Sequence, residues 1–368
     1  MAATNFARLT PRQKVVWSRD VWEAARDQML CKKFMGESEN AAFHRITELT
    51  KDEKGERVLI HLVADLIGDG VIGDNNREGM EEELMSYSQE ITIDLISHQV
   101  VSKGKLAEQK TVIKFREMAR NRLAHWMADR VDQLALLTAS GISYEYNLDG
   151  SKRDASSPFP DLAFAADVSA PTSKRHRLWN GTSLVAGDTT AITTDCTPSY
   201  KMIVDVIAYC KTHYIKPLRA GGKDYYVFLM QPNSVAQLKK DPDYLRAVQN
   251  IAAKDGQKSP FFTGATVTVD GAVIHEDRRV FGTQGAPDGE KWGSQGKVNG
   301  TRTLVLGAQA LGVADLENPE WEEKKFNYGK KLGISVDKLL GFLKPKFYSI
   351  YDKSVEDFGV LALDHYQQ

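Results

Sequence analysis

The sequence predicts an α+β fold. Three observations carry that prediction. Two β-branched runs lie at residues 57–67 (RVLIHLVADLI) and 89–101 (QEITIDLISHQVV). One long amphipathic stretch starts near Lys114. Strands and helices then follow one another in no βαβ rhythm.

Thr10, Pro11 and Gln13 form a helix start: a capping hydroxyl, a proline in the first turn and an amide three residues past the cap. This helix is predicted to run to about Phe34, with Trp22, Ala25, Met29 and Leu30 on its apolar side. Residues 36–50 read as irregular or extended, as an arm or a leader would. In the second β-branched run Ile91, Ile93 and Leu95 alternate with Thr92, Asp94 and Ile96, so both runs read as the strands of one hairpin. The 21 residues between them, 68–88, hold glycine at 68, 70, 73 and 79. A connection of that length is functional or mobile rather than a simple turn. It carries Asp69, Asp74, Glu78, Glu81, Glu82 and Glu83 against Arg77, a net charge of -5.

A basic run follows. Lys103, Lys105, Lys110, Lys114, Arg116, Arg120 and Arg122 stand against Glu108 and Glu117, a net of +5. From Lys114 the period becomes helical. Phe115, Met118, Ala119, Leu123, Trp126, Met127, Val131, Leu134 and Ala135 step by three and four, and Gly141 ends the run. A helix over 114–139 would be roughly 39 Å long. A compact chain of this size has a radius of gyration of roughly 21 Å, so the helix would cross most of the molecule.

Residues 141–197, rich in Ser, Asp, Gly and Pro, read as long loops. Thr197 and Pro198 start a helix, Ser199 to about His213, with Met202, Ile203, Val206 and Ile207 apolar. Residues 225–230 read as a buried strand and 232–239 as a short helix. Residues 265–274 read as a hairpin around Asp270 and Gly271. Residues 282–300, with six glycines, read as a mobile loop. Strands are predicted at 303–306, 333–336 and 358–363.

Composition bounds the function. With 368 residues the chain has room for two or three domains, at roughly 150 residues each. A net charge of -1 is no polyanion-binding signature. No apolar run reaches the ~18 residues of a membrane span, and residues 1–13 lack the apolar core of a signal peptide. Cys31, Cys196 and Cys210 show no metal-type spacing and fit a reducing compartment.

Several motifs mislead. Gly68, Gly70 and Gly73 spell a dinucleotide fingerprint after a strand. Pyrophosphate needs bare amides at a helix N-terminus, whereas acidic residues follow here and no βαβ unit surrounds them. Asp74, Asn76, Glu78 and Gly79 begin like a calcium loop, but Met85 takes the place of the bidentate glutamate. Asp357, Phe358 and Gly359 echo a kinase metal motif with no catalytic loop before it. His61 and His98, on the two hairpin strands, could face each other. Lys174, Arg175, His176 and Arg177 read as a solvated basic cluster, with packaged DNA as the sharper alternative. No catalytic residue, cofactor or metal site is assigned.

The segments 90–133 (EITIDLISHQVVSKGKLAEQKTVIKFREMARNRLAHWMADRVDQ), 321–336 (WEEKKFNYGKKLGISV) and 357–363 (DFGVLAL) resemble the major capsid proteins of tailed bacteriophages. Within these they are similar to the N-four-like coat-protein family with the Hong Kong 97-type fold. The resemblance spans about residue 55 to the C-terminus, with a weak middle at 141–197. It implies an N-terminal helix and arm at 1–56 and an extended hairpin, the E-loop, at 57–101. It places a peripheral domain with the spine helix at 102–196, most of an axial domain at 197–300, and closing strands at 301–368. It also implies self-assembly into hexamers and pentamers, an icosahedral shell around double-stranded DNA held non-specifically, no enzymatic activity and no membrane partner. Portal, scaffolding and decoration proteins are the further partners expected. No long charged helix precedes Arg57, so the scaffold is expected to be a separate protein. In this fold the E-loop lies over a neighbour's peripheral domain. The acidic tip is therefore expected to meet basic residues of a neighbour, with 103–122 as the leading candidate. The interface set is Asp69, Asp74, Glu78, Glu81, Glu82, Glu83, Lys103, Lys105, Lys110, Lys114, Arg116 and Arg120. The alternative is that both runs are solvated faces of one monomer. An encapsulin-like nanocompartment shares the fold and would hold cargo instead of a genome. A nucleotide-binding oxidoreductase using residues 68–73 would be stabilised by its cofactor.

Overall fold

The computed structural model of the chain describes residues 29–47, 57–63, 70–73, 78, 81, 86–104, 115–247, 267–269 and 271–368. The predicted first helix lies mostly outside these residues. Its described end is not α-helical: a single 3-10 turn at Cys31–Lys33 leads into strand β1 (Met35–Gly36), which pairs in parallel with β2 (Phe43–Ile46). The two backbone amides at Leu30 and Cys31 donate instead to the carboxylate of Asp132, at 2.8 and 3.0 Å. A side chain far along the sequence therefore holds this segment.

Strands β3 (Arg57–Val63) and β4 (Ser86–Thr92) form the predicted antiparallel arm, with Val58 opposite Ile91. The run 89–101 is two strands, not one. The chain breaks at Ile93, and β5 (Asp94–Val101) leaves the arm for another sheet. Carboxylates make the exchange possible by taking the amides freed at the crossover. Thr92 N donates to Asp167 Oδ2 at 3.2 Å, and Leu95 N and Ala163 N each donate to Asp94 at 2.7 Å. His98 consequently does not face His61. It stands opposite Val336 and stacks on Trp126 at 4.4 Å.

Helix α1 (Phe115–Ser140) has 26 residues, roughly 39 Å of helix. Its first turns bury only one side, through Ala119, Leu123 and Met127, while Leu134 to Ser140 are buried all round. Gly141 ends it in the left-handed region (φ 67°), and Ile142 N reaches Leu137 O at 3.1 Å. A Cβ there would lie 2.4 Å from Ser169 O, so only glycine fits.

The stretch 141–197 is irregular as expected, save for 3-10 turns and a hairpin of β6 (His176–Trp179) and β7 (Leu184–Ala186). Helix α2 (Tyr200–Thr212) starts later than predicted, because the Ser199 hydroxyl is the group that accepts from Met202 N. Next come β8 (Leu218–Ala220), β9 (Lys223–Met230), α3 (Pro232–Lys240), β10 (Val267–Val269) and β11 (Ala272–Glu276). Residues 282–300 form an ordered loop instead of a mobile one. Its amides are spent internally, Gly289 N on Gly296 O and Trp292 N on Val298 O, and Trp292 packs so closely on Gly300 that a Cβ would sit 1.9 Å from its ring.

The chain closes with β12 (Gly300–Leu306), β13 (Leu311–Phe326), β14 (Lys331–Leu343), the small hairpin β15 (Lys346–Ser349) and β16 (Ser354–Asp357), and β17 (Val360–Tyr366). The two strands β13 and β14 make a long hairpin whose register shifts between Leu316 and Glu320, around Pro319. A proline offers no amide to the ladder, so the strand bulges there.

Two main sheets result. One has the order β1-β2-β13-β14-β5, and the other runs β10-β11-β9-β12-β17-β6-β7 with β8 beside β9. The largest core joins α1 to both, through residues such as Leu134, Leu304, Val336 and Phe342. A second core, with Met202, Val206, Phe228 and Leu361, seats α2 and α3 on the large sheet.

Candidate functional site

The arm is built by its base. Val58, Ile60 and Ile91 are buried against Ile46, Ala314 and Leu316, so apolar contact fixes one end of β3–β4 to the β13–β14 hairpin. Burial of each such side chain stabilises the attachment by roughly 1.5–3 kcal/mol. The opposite face of the same base is open: Leu59 is half exposed and Arg57 pairs with Glu90 across the ladder. Ile72, between the two strands, is 81% exposed. Nothing lies within 4 Å of a Cβ built on Gly70 or Gly73.

Of the predicted interface residues, Glu78 and Glu81 are exposed on this arm, and Lys103 is exposed just past β5. Arg116 and Arg120 are half-buried on the first turns of α1. Asp69, Asp74, Glu82, Glu83, Lys105, Lys110 and Lys114 lie outside the described residues. Arg116 is brought to a partner that sequence reasoning missed: its Nη2 lies 2.8 Å from Glu323 Oε2 on β13. The one available signal was that Glu323 sits beside Trp321 in a segment otherwise rich in exposed charge.

The cluster at 174–177 is not a solvated basic patch. Arg175 is 3% exposed, donating to Asp357 O at 3.0 Å, Asp352 Oδ2 at 3.1 Å and His213 O at 3.2 Å. His176 meets Asp364 at 2.6 Å, and Arg177 meets the Tyr209 hydroxyl. Strand β6 runs beside β17, so His176 faces the Asp364 carboxylate, while Arg175 reaches the β15–β16 turn and Arg177 turns to α2.

Three buried ionic nodes tie distant elements together. At the first, Arg302 grips Asp364 with Nε and Nη2, at 2.7 and 2.9 Å, and its Nη1 donates to Ser140 O at the end of α1. Burial pushes the Asp364 carboxyl up, but Arg302 and His176 outweigh it and hold the group at about 2. At the second, Asp132 accepts from Leu30 N and Cys31 N and pairs with Arg279. At the third, Lys344 Nζ lies 3.0 Å from Asp357 Oδ2, both side chains fully buried, and burial pushes Lys344 down to about 8 against the pull of Asp357. Burial also lowers His365 to about 4, leaving it neutral at physiological pH, and raises the Cys210 thiol to about 12. Breaking any of these pairs would leave a buried charge uncompensated. Among the described residues, no three His, Cys, Asp or Glu side chains converge as a metal site.

The described residues thus fix the base of an exposed arm to a long hairpin. Comparison with solved structures gives the class. The fold matches the capsid of Ralstonia phage GP4 with a TM-score of 0.75 and 24% identity, over 91% of this chain and 90% of that one. It matches the Cyanophage Pam1 capsid with a TM-score of 0.69 and 17% identity, over 100% and 96% of the two chains. The capsid of Helicobacter pylori bacteriophage KHP30 follows at 0.66 and 15% identity, over 92% of each. The fold is the Hong Kong 97 type of phage capsids. The profile of the phage capsid protein family matches residues 5–368, and a major capsid protein of Pseudomonas phage KPP25 is 48% identical over 363 residues, 97% of this chain and 96% of that protein. The chain belongs to the phage capsid protein family, and its function is that of a phage major capsid protein.

Proposed function

We propose that the chain assembles into hexamers and pentamers that close as an icosahedral shell around double-stranded DNA, held without sequence specificity. The observation that carries this is the arm: β3–β4 is fixed at its base by Val58, Ile60 and Ile91, while its far side exposes Ile72, Glu78 and Glu81. A neighbouring copy is the partner that such a reach serves. The acidic tip, Asp69 to Glu83, meets basic residues at 103–122 of that neighbour. Each exposed ion pair contributes only about 0 to 1 kcal/mol; repetition around a closed shell multiplies it. The subunit performs no catalysis and needs no cofactor. Its net charge of -1 suits a wall that does not trap incoming DNA. Assembly takes place in the bacterial host cytoplasm, with portal, a separate scaffold and decoration proteins as partners.

Electron microscopy of the purified full-length chain tests assembly, with shells, tubes or hexamers as the expected particles. Substituting Glu81→Lys, Glu82→Lys and Glu83→Lys together tests the tip. Shells that form, and resist heat and salt, as the parent does would sink the acidic-to-basic contact.

A further inference from the structure

The β13–β14 hairpin segregates its charges. Lys324, Lys325, Lys330 and Lys331 crowd its turn, all exposed. Nearer the body, Glu320 and Glu322 share the outer sheet face with Asp337, which is paired directly across from Glu320. The three carboxylates are close enough to act on one another: Asp337 is raised first by burial and then by Glu320 and Glu322. No ion pair among the described residues involves any of these seven groups. The charge changes sign along the hairpin: at about 3.4 Å per residue, Lys324 stands only about 7 Å from Glu322, while Lys331 and Asp337 lie roughly 20 Å apart along β14, beyond a screening length of about 8 Å.

Apolar groups follow the same division. On the acidic face, Leu339 stands across from Leu95, 39% and 50% exposed. At the turn, Phe326 is 40% exposed and Tyr328 projects fully. Asn327 and Tyr328 hold φ of 50° and 51°, and the left-handed region is uncommon for an aromatic residue. The turn thus offers two apolar side chains beside four lysines, and the face two beside three carboxylates.

We propose that the basic turn of this hairpin docks on the acidic outer face of the same hairpin in a neighbouring copy, with Lys325, Lys330 and Lys331 against Glu320, Glu322 and Asp337. The contact rests on the shell-subunit function proposed above and adds a second site to it. Face against face would oppose carboxylates, and turn against turn would oppose lysines. Turn against face is complementary, whether made once between successive copies, in a ring where the rotation closes, or twice about a two-fold axis.

Charge swapping in the full-length chain tests this. The variants are E320K/E322K/D337K, K325E/K330E/K331E, and all six changes together, read by sedimentation velocity and electron microscopy. Circular dichroism first establishes that each remains folded. Each triple variant is expected to lose about tenfold or more of the assembled fraction, because the contact repeats in every copy. The sixfold swap is expected to recover it, an outcome that loss of folding would not produce. Parent-like assembly by both triple variants overturns the contact and leaves the shell function standing. Loss in both triples without recovery in the swap also overturns it. A parent chain that stays monomeric at high concentration overturns the shell function, and the contact with it.

Discussion

Replacing Arg302 with methionine isolates the ion pair between β12 and β17. Asp364 is fully buried, and two guanidinium nitrogens hold its carboxylate. Its carboxyl sits at about 2, against an ordinary 3.8. At about 1.4 kcal/mol per unit, that depression is worth roughly 2 kcal/mol of stability at neutral pH. The folded value lies below the unfolded one, so this stability is present above about pH 4 and lost as pH falls toward 2. In Arg302→Met the carboxylate stays buried beside His176, and Ser140 O loses its donor. Removing one partner of a buried pair costs about 3–5 kcal/mol. An unfolding entropy of about 2.1 cal/mol/K per residue gives about 0.8 kcal/mol/K for the 368-residue chain. The melting temperature should therefore fall by about 4–6 °C. In the variant the sign reverses. With only His176 left to oppose burial, the carboxyl rises above its unfolded value, so protonation relieves it and the gap to the parent narrows on acidification to about pH 4. Calorimetry of the unassembled chain measures both effects. A shift under about 1 °C at neutral pH, or a gap unchanged by acid, would refute the reasoning.

Other sites give independent expectations. Asp132→Ala removes the acceptor of two amides and the partner of Arg279. It should cost about 3 kcal/mol or more and, by freeing the backbone around the already exposed Lys32 and Lys33, speed tryptic cleavage there. Ile91→Ala, at the arm's buried base, should cost about 2–4 kcal/mol. Hydrogen exchange should then rise in β3 and β4 while α1 stays protected. Gly300→Ala drives a methyl into Trp292 and should cost about 1–3 kcal/mol, with a change in tryptophan fluorescence reporting the shift.

The sequence by itself determined the local elements. Helix α1 was legible because its buried side chains recur every three and four residues, and Gly141 stops it for a reason visible in one residue. The β-branched arm strands, the apolar strand β9 and short helix α3 were legible in the same way. Resemblance along the chain carried the fold type. Tertiary structure alone decided the exchange of partners at Ile93, since that depends on carboxylates at positions 94 and 167 capturing particular amides. It decided that Arg175 and His176 turn inward, because their anions lie in a turn and on a strand almost two hundred residues away. It also gave the glycine-rich stretch 282–300 its order, through hydrogen bonds and a tryptophan seated on Gly300. Of the candidate interface, sequence supplied the charges, while the structure assigned Arg116 to Glu323 and showed where the arm is anchored. Periodicity records which face of a segment is buried. It does not record which distant segment buries it, and the choice of partner is made by packing and by the pairing of buried charge.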